Sequence, residues 1–453
     1  MAKYDVVVVG GGPGGYPAAI RAAQNGAKVA IIEKDRFGGE CTNYGCIPTK
    51  ALLKAAKIIK EFRSYPFIKG EAEIDYKELN RWVSKVVNRS SRGVEYLLRG
   101  YGVDIFKGEG VVKDLKSLKV EGEEVNGDKV IYSLGSKPID IPGFKVDGVK
   151  IHNNKTILKI VDLPSSILII GGGYIGVEYA TIFSRLGSKV YIVELMDRIL
   201  PQMDVDISKL IHKKLVNMGV EIRTGLKALG YKEENGELKV SLSDGSTINV
   251  DIVLVSVGRK PNTEILKNSS IKLDDRGFIV TNDRMETSIN DIYASGDVTG
   301  NPMLAHKAFI EGVVAGENSS GGELYKVSRF IPSVIFTDPE VISVGYTLDE
   351  ARKAGYDAEE KIYPIGGIAK AYIEGEIDGF VKMVYDREGT ILGIHAVGPN
   401  ISELAGEATY LLETSATLED VAMTIHPHPT ISEAIKEATE YILGKPYHYL
   451  IKK

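Results

Sequence analysis

Two glycine-rich turns built to one plan constrain this 453-residue chain more than any other feature. The first, Gly10-x-Gly12-x-x-Gly15, follows the β-branched run Val6–Val9 and opens an Ala-rich stretch, Pro17–Gln24, that predicts a helix. The strand expected over Lys28–Ile32 then ends at Glu33. The second, Gly171-x-Gly173-x-x-Gly176, follows Ser166–Ile170 and opens a helix expected over Tyr174–Arg185, with a strand over Lys189–Val193 ending at Glu194. Gly10 and Gly171, Gly26 and Gly187, Glu33 and Glu194 are each separated by the same 161 residues. Strand, glycine turn, helix and strand, with an acid about 20 positions on, is the dinucleotide-binding βαβ unit. Its glycines permit a tight turn, close approach of backbone N–H groups to a pyrophosphate, and close packing of helix on strand. The helix N-terminus favours the phosphates, and the acid can accept hydrogen bonds from ribose hydroxyls. An in-register match of the whole unit predicts two nucleotide sites.

Each unit has the same sequel. Val111–Asp128 and Tyr231–Asp251 carry hairpin signals, clearest at Asp244-Gly245, and then come VIYSLGSKP with Gly135 and VLVSVGRKP with Gly258. Their duplicated context places Gly135 and Gly258 against the bound nucleotides. After Asn262 the pattern changes. Ile292–Val298 reads as a strand ending at Gly296-Asp297, and Met303–Ala315 as a helix. Ser333–Val344 and Gly379–Val397 are strand-rich, and Ser402–Thr414, Leu418–Met423 and Thr430–Tyr441 are helical. The expected fold is α/β. Two Rossmann-like dinucleotide-binding domains each carry a β-meander, and a C-terminal α+β domain serves assembly and completes the active site. The expected divisions are 1–142, 143–268, 269–330 (a return to the first nucleotide domain) and 331–453.

Charge narrows the partners. Lys plus Arg number 56 and Asp plus Glu 61, for a net −5; such a balance argues against nucleic acid or an anionic membrane as the main partner. Apolar runs such as Ile167–Ile170 are too short to span a bilayer. The opening MAKYDVVVVG enters a strand at once, which leaves no room for a signal peptide, so the expected location is cytoplasmic. Cysteines number only two, Cys41 and Cys46, too few for a disulfide scaffold and without neighbouring ligands for zinc. No metal is expected.

Two short segments carry chemistry. In GGECTNYGCIPTK, Cys41 and Cys46 can bridge across a turn if their Cα atoms come within about 7 Å. The helix expected over Ile47–Phe62 puts Cys46 at or near its N-terminus, where a thiolate is favoured, with Lys50 one turn on. In IHPHPTISE, His428 stands before Pro429 at the mouth of a helix and Glu433 lies one turn inside it. That arrangement suits a general base held by a carboxylate, while Thr430-x-x-Glu433 also reads as a capping box. Glu178, two positions after Gly176, reads from the residues alone as a solvated helix position.

These motifs, in this order along nearly the whole chain, resemble the flavin-dependent pyridine nucleotide–disulfide oxidoreductases, and their lipoamide branch most. The CxxxxC with GCIPTK and the HPHPTISE segment are the most specific. The resemblance implies FAD at the first fingerprint (Gly10, Gly12, Gly15, Glu33, with Gly135) and NAD at the second (Gly171, Gly173, Gly176, Glu194, with Gly258). It implies that Cys41 is the interchange thiol and Cys46 the thiolate facing the flavin, and that Lys50 and Glu178 pair near flavin N5. Asp297 would bind the ribityl chain, Ala305 of the AHKA segment would line the FAD site, and His428 with Glu433 would be the acid/base couple, serving the cysteine pair of the other subunit of a homodimer. The implied reaction is oxidation of dihydrolipoamide, free or on a lipoyl-bearing protein of a 2-oxoacid dehydrogenase complex, with reduction of NAD. The alternative is another NAD(P)H-dependent disulfide reductase of glutathione reductase type, or an NADH diaphorase or oxidase. Glu194 would repel the 2′-phosphate of NADP, although Arg198 lies four residues on. Tyr174 stands where the glutathione branch often has a gating tyrosine.

Overall fold

The structure, a computed structural model, describes residues 2–325 and 329–451. Residues 326–328, inside the expected 269–330 segment, lie outside that description. The first fingerprint sits in a seven-stranded sheet. Asp104–Lys107, Val29–Glu33, Ala2–Val9 and Glu123–Tyr132 run parallel in that order, and Ile292–Ala294 returns from far along the chain to extend the last of them. The second lies in a five-stranded parallel sheet, with Glu221–Arg223, Lys189–Val193, Ser166–Ile170, Ile252–Val255 and Ile151–His152 side by side. In each sheet one face packs under helices and the other under the β-meander, so the central strands are apolar on both faces rather than alternating. Val6, Val7, Val8, Ile167, Leu168 and Ile169 are all fully buried.

The helices follow the same logic. α1 spans Gly15–Gln24 and buries Ala18, Ala19 and Ala22, small residues that let it lie close on the sheet. α2 (Gly39–Tyr44) and α3 (Cys46–Ser64) are separated by Gly45 alone. α4, Tyr76–Gly100, is capped by Asp75, whose carboxylate accepts from the Lys77 and Glu78 amides. Its apolar stripe was not singled out in the sequence. α5 (Tyr174–Leu186) starts at the second fingerprint and ends at Gly187, which is left-handed at φ 111°. α6 is Val205–Asn217 and α7 is Ala305–Ser319.

Both meanders form, but differently. In the first unit Glu123–Tyr132 is one unbroken strand that belongs to meander and main sheet alike. In the second, Thr247–Val250 and Ile252–Val255 are parted at Asp251. Asp251 accepts from the Ser166 amide at 2.8 Å and donates its own N–H to Ser166 Oγ. A three-stranded sheet, Ala228–Val250, therefore stands alone. The two GxKP tails pair with each other, Ser136–Pro138 running antiparallel to Arg259–Pro261.

The C-terminal unit is a five-stranded antiparallel sheet in the order Ser333–Ile335, Glu340–Gly345, Ile391–Gly398, Phe380–Asp386, Ala358–Pro364. Helices Ala405–Glu413 and Glu433–Ile442 pack on it through Ala408, Leu412, Ala434, Ile435 and Ala438. Three expected elements have ends that differ from their sequence patterns. The strand at 292 ends at Ala294 and Gly296–Thr299 is a 3₁₀ turn; the helix expected from Met303 begins at Ala305. The last helix begins at Glu433, so Thr430 is not its N-cap, although the Thr430 amide still donates to Glu433 Oε2 at 2.9 Å.

Candidate active site

One cavity of about 1890 Å³ runs from the first fingerprint to the second and is walled by both nucleotide units, by α2 and α3, and by the start of α7. Gly10, Gly12, Glu33, Gly135, Asp297 and Ala305 line one end of it; Gly171, Gly173, Glu194 and Gly258 line the other. Gly15 and Gly176 do not face it. A Cβ on Gly15 would meet the Gly10 carbonyl oxygen, and one on Gly176 the Gly171 carbonyl oxygen, so the third glycine of each fingerprint serves helix-on-strand packing. The middle glycines are open: nothing lies within 4 Å of a Cβ built on Gly173, and only Gly39 Cα, at 3.7 Å, near one on Gly12. That is the room a pyrophosphate needs beside the backbone.

The two acids are held alike, atom for atom. Gly11 N donates to Glu33 Oε2 at 2.6 Å and Asp35 N to Oε1 at 2.7 Å. Gly172 N donates to Glu194 Oε2 at 2.6 Å and Met196 N to Oε1 at 2.8 Å. Each carboxylate keeps further lone pairs for a diol. Burial pushes the Glu33 carboxyl above the usual carboxylate range, against the pull of those two amides. Arg198 does not face the cavity; its guanidinium donates to the Pro201 and Met203 carbonyls at 2.9 and 3.3 Å.

Between the two ends lie the cysteines. Cys41 sits in α2 and Cys46 is the first residue of α3, both facing the cavity as free thiols. Hydrogen bonding from Cys41 and the charge of Lys50 draw the Cys46 thiol below its ordinary value, against burial and Glu178. The same hydrogen bond, with burial, holds Cys41 protonated, its thiol well above the ordinary value. Lys50, one turn along α3, reaches Glu178 on α5 with Nζ 2.9 and 2.8 Å from the two carboxylate oxygens. Glu178 is buried rather than solvated, and Oε1 also accepts from the Phe336 amide at 3.0 Å. Tyr174, first in α5, lines the cavity, and burial raises its phenol.

A chain of polar contacts not read from the sequence stiffens the Asp297 end. Arg259 Nε donates to Ser136 Oγ at 2.7 Å, and Ser136 Oγ donates to Asp297 Oδ2 at 2.5 Å. Glu311 of α7 accepts from the Gly296 amide, Thr299 Oγ1 and Lys307 Nζ. The duplicated GxKP tails were the available signal, since the pairing of Ser136 with Arg259 follows from the pairing of those tails.

His428 and Glu433 come together but lie off this cavity. His428 Nδ1 is 2.9 Å from Glu433 Oε1, Glu433 is buried, and the imidazole is 63% exposed in the isolated chain. His426 does not join them; it bonds Glu407 Oε1 at 2.9 Å and the Thr424 carbonyl. No group of three potential metal ligands occurs among the described residues. No helix among them is long and apolar enough to cross a membrane.

Residues 4–312 match the pyridine nucleotide-disulphide oxidoreductase family and 331–439 match its dimerisation domain. The chain is 42% identical to a dihydrolipoyl dehydrogenase of Thermus scotoductus, over 99% of this chain and all of that one. It is 39% identical to a dihydrolipoyl dehydrogenase of Geobacillus stearothermophilus, over 99% of this chain and 98% of the relative. Among solved structures it is similar to LpdA of Mycobacterium tuberculosis (TM-score 0.90, 25% identity, 98% of this chain and 100% of that chain). It also resembles RclA, an HOCl-induced flavoprotein disulfide reductase of Escherichia coli (TM-score 0.88, 27% identity, 97% of this chain and 100% of that chain).

Proposed function

This chain belongs to the pyridine nucleotide-disulphide oxidoreductase family, and from that premise we propose that it oxidises dihydrolipoamide to lipoamide with NAD⁺ as the final acceptor, as a homodimer. The observation that carries this reading is the Cys41–Cys46 pair between two fingerprints whose acids are held identically, in a chain 37–42% identical over 98–99% of its length to dihydrolipoyl dehydrogenases. Residues 1–142 and 269–330 would hold FAD, 143–268 NAD, and 331–453 the second subunit.

The geometry supports the roles that the resemblance implies. With Nδ1–H donated to Glu433, His428 keeps a lone pair on Nε2 and can take the proton of a substrate thiol. Because His428 is exposed and off its own cavity, its natural client is the cysteine pair of a second copy. The substrate thiolate attacks Cys41 Sγ, the Cys41–Cys46 bond breaks, and Cys46 leaves as the thiolate that the Lys50 charge favours. The second substrate thiolate then attacks the substrate sulfur of the mixed disulfide, which closes lipoamide and frees Cys41. A bound FAD would be held at Gly10, Gly12, Glu33 and Asp297 and would supply the two-electron link between the reduced cysteines and a nicotinamide at the second fingerprint. Lys50 and Glu178 hold a fixed charge pair beside that link, and Asp297, braced by Ser136, would anchor the flavin side chain.

The deciding assay is dihydrolipoamide-dependent reduction of NAD⁺ and, in parallel, NADP⁺ by the purified yellow protein. NAD⁺ turnover that is lost in Cys46→Ser supports the reading. Oxidation of NADH by glutathione disulfide or a quinone, without lipoamide turnover, would replace the substrate and keep the redox pair.

A further inference from the structure

The residue before the interchange thiol is an acid, Glu40, and three side chains from outside α2 converge on it. Asn154 Nδ2 donates to Glu40 Oε2 at 3.1 Å, Arg259 Nη2 lies 3.3 Å from the same oxygen, and Lys155 forms an ion pair with Oε1. Tyr44, four residues on and therefore on the same face of α2, is caught by the same group. Asn154 Nδ2 also donates to the Tyr44 carbonyl at 3.1 Å, Lys155 Nζ sits 4.8 Å above the Tyr44 ring, and Tyr44 OH donates to Asp35 Oδ2 at 2.8 Å. Asn43, buried, ties the inner side of the helix to the Phe37 and Gly39 carbonyls at 3.1 and 2.9 Å.

A six-residue helix has little stability of its own, and this one carries a reactive sulfur that must meet Cys46 across a single glycine. Local structure alone would leave Cys41 loosely placed. Asn154 and Lys155 follow the strand Ile151–His152, and Arg259 leads the strand that closes the second nucleotide unit. The clamp therefore fastens the first unit's redox helix to the second unit.

We propose that Glu40, held by Asn154, Lys155 and Arg259, is a positioning residue that fixes Cys41 against Cys46 and so sets how readily the Cys41–Cys46 disulfide opens. This rests on the redox role given to the pair above. Holding two sulfurs in place raises their effective concentration, and a small loss of placement costs one to two orders of magnitude. Loosening the clamp therefore favours the open dithiol.

The test is a thiol–disulfide equilibrium of the FAD-loaded protein against dithiothreitol, read by alkylation and mass spectrometry, in wild type, Glu40→Ala, Glu40→Asp and Lys155→Met. The expected result is an opening constant raised about tenfold in Glu40→Ala, which is about 30 mV for this two-electron couple. Lys155→Met should shift it in the same direction and Glu40→Asp by less. NADH-dependent reduction of ferricyanide, which needs the flavin but not the cysteines, should stay within about twofold of wild type. An unchanged equilibrium in Glu40→Ala and Lys155→Met overturns the proposal. So does a shift accompanied by a matching fall in ferricyanide activity, which would mark general loss of structure. A wild-type protein that forms no Cys41–Cys46 disulfide sinks the redox reading itself and the clamp with it.

Discussion

Lys50 Nζ lies 2.9 and 2.8 Å from the two carboxylate oxygens of Glu178, a partner 128 residues away whose side chain is only 7% exposed. The pair joins α3, which carries Cys46, to α5, which starts at the second fingerprint. Breaking a buried pair strands the remaining charge. Glu178→Leu should lower stability by about 2–3 kcal/mol, less than for a fully enclosed pair because Lys50 keeps some exposure. The double variant Lys50→Met/Glu178→Leu should lose less than the two single changes combined. Unfolding midpoints of the four proteins check this, and strict additivity would refute the coupling.

The low-lying thiol of Cys46 depends first on Cys41 and then on Lys50. In the reduced protein Cys41→Ala removes the donor, so the Cys46 thiolate should appear only at higher pH. Ultraviolet thiolate absorbance followed against pH reads the shift directly. A titration that stays in place would assign the depression to something other than Cys41.

His428→Ala should lower dihydrolipoamide-dependent kcat/KM by about 10²–10⁴-fold, the usual contribution of a general base, and leave NADH–ferricyanide turnover in place. Glu433→Gln should act in the same direction but less, since an amide can still accept from Nδ1–H. Mixing inactive His428→Ala with inactive Cys46→Ser subunits tests the crossing of subunits. Mixed dimers should regain one working site, and no regain would confine His428 to its own chain.

With Arg198 turned to the Pro201 and Met203 carbonyls, Glu194 is the charged side chain that the proposed reading sets against the nucleotide ribose. Glu194→Arg should move the NAD⁺/NADP⁺ ratio of kcat/KM by at least about tenfold toward NADP⁺. Steady-state kinetics with both nucleotides decide it.

Burial holds His395, His152 and His306 below the ordinary imidazole value of 6.5. The unfolded chain therefore binds more protons at these sites, and the stability they contribute is present above pH 6.5 and lost as pH falls below it. His426 runs the other way: Glu407 raises it, so its contribution is present below 6.5 and lost as pH rises through the folded value. The three depressed imidazoles pull the midpoint down as pH falls below 6.5, and His426 opposes them. His395→Asn should flatten that slope in a thermal scan series. An equally steep slope would remove His395 from the account.

The nucleotide folds, the thiol pair and the His428–Glu433 contact were legible because each depends on residues close in the chain. A glycine turn between a β-branched run and an Ala-rich helix, an acid at the next strand end, or a histidine five residues before a glutamate is a local pattern. Its repetition 161 residues later multiplied the signal. Tertiary structure alone decided what those patterns face. Glu178 reads as an exposed helix position and is buried because α3 brings Lys50 to it. Lys382 stands in the strand Phe380–Asp386, apolar at most positions, and is 1% exposed because Asp204 and Asp206, at the start of α6, meet its ammonium at 2.6–3.0 Å. Glu40 gains its three partners only where the second nucleotide unit lies against α2. Hydrophobic period and turn chemistry report a residue's own element. The pairing of charges more than a hundred positions apart follows from how the sheets are stacked, and that is settled by burial summed over the whole chain.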